Sequence, residues 1–184
     1  MDLELKRISV DSLHDFLDYF DHRAFLNDED WAGCYCQAYL NEANDNGEEA
    51  WVEGAARQRA CDRISSGAMD GYLAYNQGRV VGWCSAGSSK LYPGVPEAQE
   101  SLAVIVCMNI DPDFRQQGLA GQIMDLVISD LTERGFAAVE ATPHKNGDAS
   151  DKSFRGTLSM YQSRGFEPVT ELGELYVLMR KHLD

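Results

Sequence analysis

The chain has 184 residues, 44% of them apolar, which is enough for one domain with a hydrophobic core. Its net charge of −14 repels phosphate backbones and anionic lipid, so nucleic acid and a membrane surface are disfavoured as partners and a cationic substrate is the easier one to attract. No run of about 18 apolar residues exists, charges interrupt the N-terminal MDLELKRISVDSL where a signal peptide needs an apolar stretch, and the five cysteines are odd in number and scattered. The expected setting is the cytoplasm, with free thiols.

LELKRISV reads as an edge strand. In DSLHDFLDYF an Asp11/Ser12 cap precedes Leu13, Phe16, Leu17 and Phe20 at helical spacing, which predicts a helix. NDEDWAGCYCQAYL has no decisive period, whereas NGEEAWVEGAARQRACDRISSG reads as a helix stopping at Gly67. GYLAYNQGRVVGWCSAGS is two β-rich runs joined by Asn76-Gln77-Gly78-Arg79, the turn chemistry of a hairpin. After the loop KLYPGVPEAQES, the nearly continuous apolar run LAVIVCMNI predicts a strand buried on both faces. From Leu119 a helix follows, with Ile123, Leu126, Val127 and Leu131 on one face and an end near Gly135. FAAVEATP is the next strand, HKNGDASDK a polar loop and SFRGTLSMYQSRGF a short helix. FEPVTELGELYVLMR closes the chain as two strands turning around Glu171 to Glu174. With no repeat and no linker, residues 1–184 are predicted to form a single domain.

Between the buried strand and the long helix lies NIDPDFRQQGLAGQIMDLVISDL, Asn109 to Leu131. A strand, a short glycine-bearing loop and a helix N-terminus can hold an anion, because the first N–H groups of a helix lack internal partners and carry the positive end of its dipole. Gly118, Ala120 and Gly121 leave the backbone approachable, and Arg115 can add charge. From the residues alone an ordinary turn with a solvated arginine is equally open. No G-x-x-x-x-G-K-[ST] run and no G-x-G-x-x-G opening a βαβ unit occurs, which disfavours a P-loop or a dinucleotide fold.

RQQGLA resembles the R/Q-x-x-G-x-G/A signature of the GNAT N-acetyltransferase superfamily, with Arg115, Gly118 and Ala120 at its defining positions. The preceding NIDPDF and the later SMYQSRGF, a tyrosine just before a Gly-Phe turn, agree in order and spacing, as does the sequence of elements over most of the chain. The resemblance implies a mixed α/β fold, with helices flanking a mostly antiparallel sheet that splays where the cofactor enters. It also implies transfer of acetyl from acetyl-CoA to a primary amine of a small molecule or peptide by direct attack in a ternary complex. No metal is required for this.

By the same resemblance, the coenzyme A diphosphate lies on the N–H groups of Gln116, Gln117, Gly118, Leu119, Ala120 and Gly121, with Arg115 adding a charged contact. Pantetheine runs beside Met108, Asn109 and Ile110, and the acetyl carbonyl points at an N–H near Ile110. Tyr161 takes the position of the general acid. Glu140 and His144 are the candidate bases, with Glu100 weaker and a water relay also open. Many members carry an asparagine shortly before the tyrosine; here Ser153 and Phe154 stand near that position, and Asn146 is a candidate substitute.

The Cys34-x-Cys36 pair lacks a second Cys/His pair for zinc, and points to packing or to thiols facing substrate. Trp31, Tyr35, Tyr39 and Trp51 are expected to line an acceptor pocket or a helix interface. A homodimer is compatible with all of this and is not decided by the sequence. The competing readings are a non-catalytic acyl-CoA-binding or regulatory module and a partner-binding scaffold.

Overall fold

The computed structural model describes residues 2–26, 31–41, 47–95, 98–145 and 154–184, so Asn146 and Ser153 lie outside the described residues. Seven strands form one sheet: β1 Leu3–Arg7, β2 Tyr72–Asn76, β3 Arg79–Ser88, β4 Leu102–Ile110, β5 Ala138–Ala141, β6 Glu167–Leu172 and β7 Tyr176–His182. Their spatial order is β1-β2-β3-β4-β5-β7-β6. Every neighbouring pair is antiparallel except β4 and β5. The β2–β3 hairpin turns through Gln77 at φ +50° and Gly78 at φ +78°, two left-handed residues as a type I′ turn requires.

The parallel ladder is short. It runs from Leu102 opposite Ala138 to Ile105 opposite Ala141, and β4 then continues through Val106 to Ile110 without β5 beside it. Two features of the chain cause this divergence. Pro143, which has no N–H to donate, follows the end of β5. Opposite the consecutive residues Ser85 and Ala86 stand Cys107 and Ile105, so Val106 is an extra residue on β4, a bulge that adds twist where the strands part.

Helices cover both faces. On one side α1 Leu13–His22 and α2 Ala55–Ser66 bury Phe16, Tyr19, Phe20, Ala60 and Ile64 against Leu73, Tyr75, Trp83, Val104 and Cys107. On the other, α3 Leu119–Glu133 and α4 Leu158–Gln162 bury Ile123, Val127, Leu131 and Tyr161 against Val81, Ala103, Ile105 and Met108. Gly82 lets α3 seat closely, since a Cβ there would stand 2.8 Å from Ile123 Cδ1.

Two expectations need correction. Leu126 is 38% exposed, and Met124 takes the buried place beside Ile123, because the α3 stripe centres on Leu119, Ile123, Val127 and Leu131. The stretch before Gly67 is not one helix: a 3-10 turn at Glu48–Trp51 ends before Gly54, whose φ of +79° breaks the helical path, and α2 begins at Ala55.

Candidate active site

The end of β4 is fixed from beneath. Asp111 is fully buried; its Oδ1 accepts the Asp113 N–H at 3.0 Å and its Oδ2 accepts Arg79 Nη2 at 2.8 Å. The chain then makes a 3-10 turn at Pro112–Phe114 and reverses through Gln116 at φ +60° and Gly118 at φ +74°, the residue that caps α3. No side chain caps this 15-residue helix, whose first amides therefore face outward with the dipole behind them. A Cβ built on Gly118 would meet nothing within 4 Å, so this backbone can be approached from outside. The loop thus fits a diphosphate.

The neighbouring side chains have more varied roles than the motif suggests. Arg115 donates Nε to the Ile110 carbonyl at 3.0 Å, and Gln117 donates Nε2 to the Asp113 carbonyl at 3.2 Å, so both brace the turn. Leu119 is a core residue, 2% exposed. The missing side chain of Gly121 makes room for Arg164, whose Nη2 would lie 2.3 Å from an added Cβ. Arg164 is held over the first turn of α3 by Asp125 at 2.7 Å and the Met160 carbonyl at 3.1 Å. It brings to the candidate anion site a second cation that sequence reading missed, since nothing local ties Arg164 to a helix so far upstream.

Asp111 N–H bonds the Val81 carbonyl on β3, so by strand alternation Asn109 also faces β3, while Met108 and Ile110 present their backbone groups to the open side. Met108 N–H there donates to the Phe154 carbonyl at 2.6 Å. The Phe154 ring rests edge-on against Phe25 and Trp31. Asn109 is 1% exposed and braces the helical layer: its Oδ1 accepts the Tyr19 hydroxyl at 2.6 Å and its Nδ2 donates to the Ala24 carbonyl at 2.9 Å. Of the three residues expected along the pantetheine path, two therefore offer an edge, and the third holds α1 in place.

Tyr161 sits on α4 at 1% exposure, with its ring edge-on to Phe166 and its hydroxyl donating to the Arg155 carbonyl at 3.0 Å. Burial pushes its pKa well above the ordinary tyrosine value, so the hydroxyl keeps its proton at neutral pH. Gly156 makes this seat possible, because a Cβ there would stand 2.5 Å from Met160 Cε and 3.0 Å from the tyrosine ring.

Glu140 and His144 are separated by their surroundings. Glu140, 5% exposed on β5, pairs across the sheet with Arg180 of β7, Nε to Oε1 at 2.8 Å. Both Arg180 contacts fall on Oε1, leaving Oε2 to another donor. Glu140 lines a cavity of about 760 Å³ whose walls include Val104 and Val106 of β4, Tyr39, Thr142 and Arg155. His144 is outside that lining; its backbone bridges Thr157 and Tyr176, and its ring packs edge-on to Tyr176. Glu100 lies on the surface, ion-paired with Lys90.

The aromatic group expected at an acceptor pocket or a helix interface divides between two cavities. Tyr39 borders the large cavity, whereas Trp31, Tyr35 and Trp51 line a separate one of about 590 Å³. Cys34 borders this smaller cavity, with its pKa pushed up to about 12 by burial, and Cys36 is buried, with its Sγ accepting the Trp83 indole N–H at 3.1 Å.

A family model described as the acetyltransferase (GNAT) family matches residues 11–166. No curated protein matches the chain. Among solved structures, the chain is similar to the PaiA N-acetyltransferase of Thermoplasma acidophilum in complex with coenzyme A, with 14% identity, a TM-score of 0.60 and 99% of each chain covered. It is also similar to the ribosomal-protein-S18-alanine N-acetyltransferase of Escherichia coli, with 15% identity, a TM-score of 0.56 and 99% of this chain and 94% of that one covered. A third is the ribosomal-protein-alanine N-acetyltransferase of Brucella melitensis, with 18% identity, a TM-score of 0.58 and 98% and 99% covered. These likenesses concern the fold; the family model, spanning most of the length and including the β4 to α3 segment, shows that the chain belongs to the GNAT acetyltransferase family and is an acyltransferase.

Proposed function

We propose that the protein transfers an acetyl group from acetyl-coenzyme A to the primary amine of a small molecule or peptide, within a ternary complex. One observation carries this reading: the edge of β4 that β5 leaves uncovered beyond Ile105 connects the open N-terminus of α3 to the cavity lined by Glu140. Acetyl-coenzyme A supplies an anionic diphosphate and an acyl thioester. The N–H groups at the start of α3, with Arg115 and Arg164 nearby, match the first, and the outward backbone of Ile110 matches the second. The Ile110 N–H stabilises negative charge on the carbonyl oxygen as the amine attacks and the carbon–sulfur bond breaks. Glu140 Oε2 accepts the proton that the amine gives up, and the Tyr161 hydroxyl delivers one to the departing sulfur.

The test is a calorimetric titration with coenzyme A followed by thiol release from acetyl-CoA against a panel of primary amines. Binding together with amine-dependent release is expected. Binding without release from any amine would select a non-catalytic acyl-CoA-binding module, and absence of binding would overturn both readings.

A further inference from the structure

We propose that the acceptor is a primary amine that also carries a carboxylate, a free amino acid with an apolar side chain, and that Arg155 is the residue that reads the carboxylate. This rests on the acetyl-transfer reading and specifies its second substrate. The charge inside the cavity is opposite to that of the molecule. Among the described residues its lining has three charged ones, Glu140, Arg155 and Arg180. Glu140 and Arg180 neutralise each other, which leaves one positive charge in a protein whose net charge is −14. An overall charge that favours a cation in solution therefore surrounds a recess suited to an anion.

Arg155 is held as a preformed anion receptor. Nη1 donates to Thr142 Oγ1 at 2.8 Å, and the guanidinium lies over the rings of Tyr39 at 5.2 Å and Tyr176 at 4.5 Å. Elsewhere Arg23, Arg57, Arg79, Arg134, Arg164 and Arg180 each sit on a carboxylate. Among the described residues no carboxylate is paired with Arg155, although acidic side chains outnumber basic ones in the chain. A guanidinium has five N–H donors arranged to meet a carboxylate through two parallel bonds, and the contacts to Thr142 and Tyr39 use only part of them.

The spacing suits an amino acid. Glu140 and Thr142 are two residues apart on extended chain and both line the cavity, so they lie about 7 Å apart along one face. Arg155, anchored on Thr142, lines the same cavity as Glu140. An ammonium taken by Glu140 Oε2 and a carboxylate taken by Arg155 then bridge the two, with each contact of about 3 Å at its own end. Val104, Val106, Tyr92 and Leu178 make much of the remaining wall apolar, beside Asn41 and Thr170, which matches an aliphatic or aromatic side chain.

The experiment compares leucine, leucinamide and isoamylamine as acceptors at saturating acetyl-CoA, in the parent and in Arg155→Met and Arg155→Lys. Leucine should exceed isoamylamine in kcat/KM by about 10- to 100-fold, the range expected for a hydrogen-bonded contact to a charged group. Leucinamide should fall close to isoamylamine. Arg155→Met should bring the leucine-to-isoamylamine ratio close to one through KM for leucine, and Arg155→Lys should restore part of it. Equal or better use of isoamylamine by the parent would overturn the proposal, as would an Arg155→Met variant that keeps the ratio while KM for acetyl-CoA rises. If no amine is acetylated, the acetyl-transfer reading fails separately. Calorimetric titration of the protein–coenzyme A complex with leucine and isoamylamine then decides the recognition: binding of leucine alone supports it, and any other result overturns it.

Discussion

The Tyr161 hydroxyl is buried and its proton is engaged by the Arg155 carbonyl, so the residue is neutral, oriented and shielded from water. Replacing it with phenylalanine removes one O–H and keeps the ring against Phe166. Tyr161→Phe is expected to lower kcat by about 10²-fold, the typical contribution of general acid catalysis, with little change in coenzyme A affinity by calorimetry. An undiminished kcat would assign the tyrosine to packing. Asn109 gives the opposite pattern. Asn109→Leu leaves the Ala24 carbonyl without its side-chain partner and the Tyr19 hydroxyl with only a long contact to the backbone carbonyl of residue 109, which should cost about 2 kcal/mol or more and lower Tm by about 4 to 8 °C. A fall in coenzyme A affinity at unchanged Tm would make Asn109 a ligand contact instead. The sequence marked both residues as functional by position, but it did not show which way their side chains turn, because that depends on helices distant along the chain. Arg164 and Arg155 went unseen for the same reason: their roles come from Gly121 and from Thr142, Tyr39 and Tyr176, none of which is adjacent in sequence.

Among the elements, those set by local chemistry were legible in advance. The glycine and left-handed glutamine of the β2–β3 turn, the apolar run of β4 and the stop of α3 before Gly135 all depend on residues close together. The divergence of β4 from β5 was anticipated from the resemblance, and its cause became visible only in the pairing, where Val106 bulges and Pro143 ends the partner strand. On the proposed reading, cosubstrate binding depends on the α3 N-terminus. Gly118→Val forces a β-branched residue into φ +74° and places a side chain over open amides, so coenzyme A affinity should fall by about 10-fold or more. The same affinity in the variant, measured by calorimetry, would remove the loop from the binding site.

At the scale of the molecule, Tyr19, Tyr72, Tyr92 and Tyr161 all have pKa values raised above the ordinary tyrosine value, mainly by burial. Above pH of about 10 the unfolded chain loses these protons while the native state keeps them. Native stability is therefore fully present below that pH and declines as pH rises toward the raised values. Tyrosinate absorbance should appear together with loss of helical circular dichroism in an alkaline titration. Ionisation of these four groups in a still-folded protein would show that they are not enclosed. The division of the sheet has a mechanical meaning as well. Strands β1 to β4 and strands β5 to β7 meet along a ladder only four residue pairs long, from Leu102 and Ala138 to Ile105 and Ala141. That ladder is the compliant seam of the sheet. On the proposed reading, coenzyme A lying between β4 and β5 would act as a removable cross-link between the halves. Saturating coenzyme A should then slow amide exchange on both flanks of the seam, β4 and β5 together, and raise the stability of the whole by about 2.7 kcal/mol at a hundredfold excess over Kd.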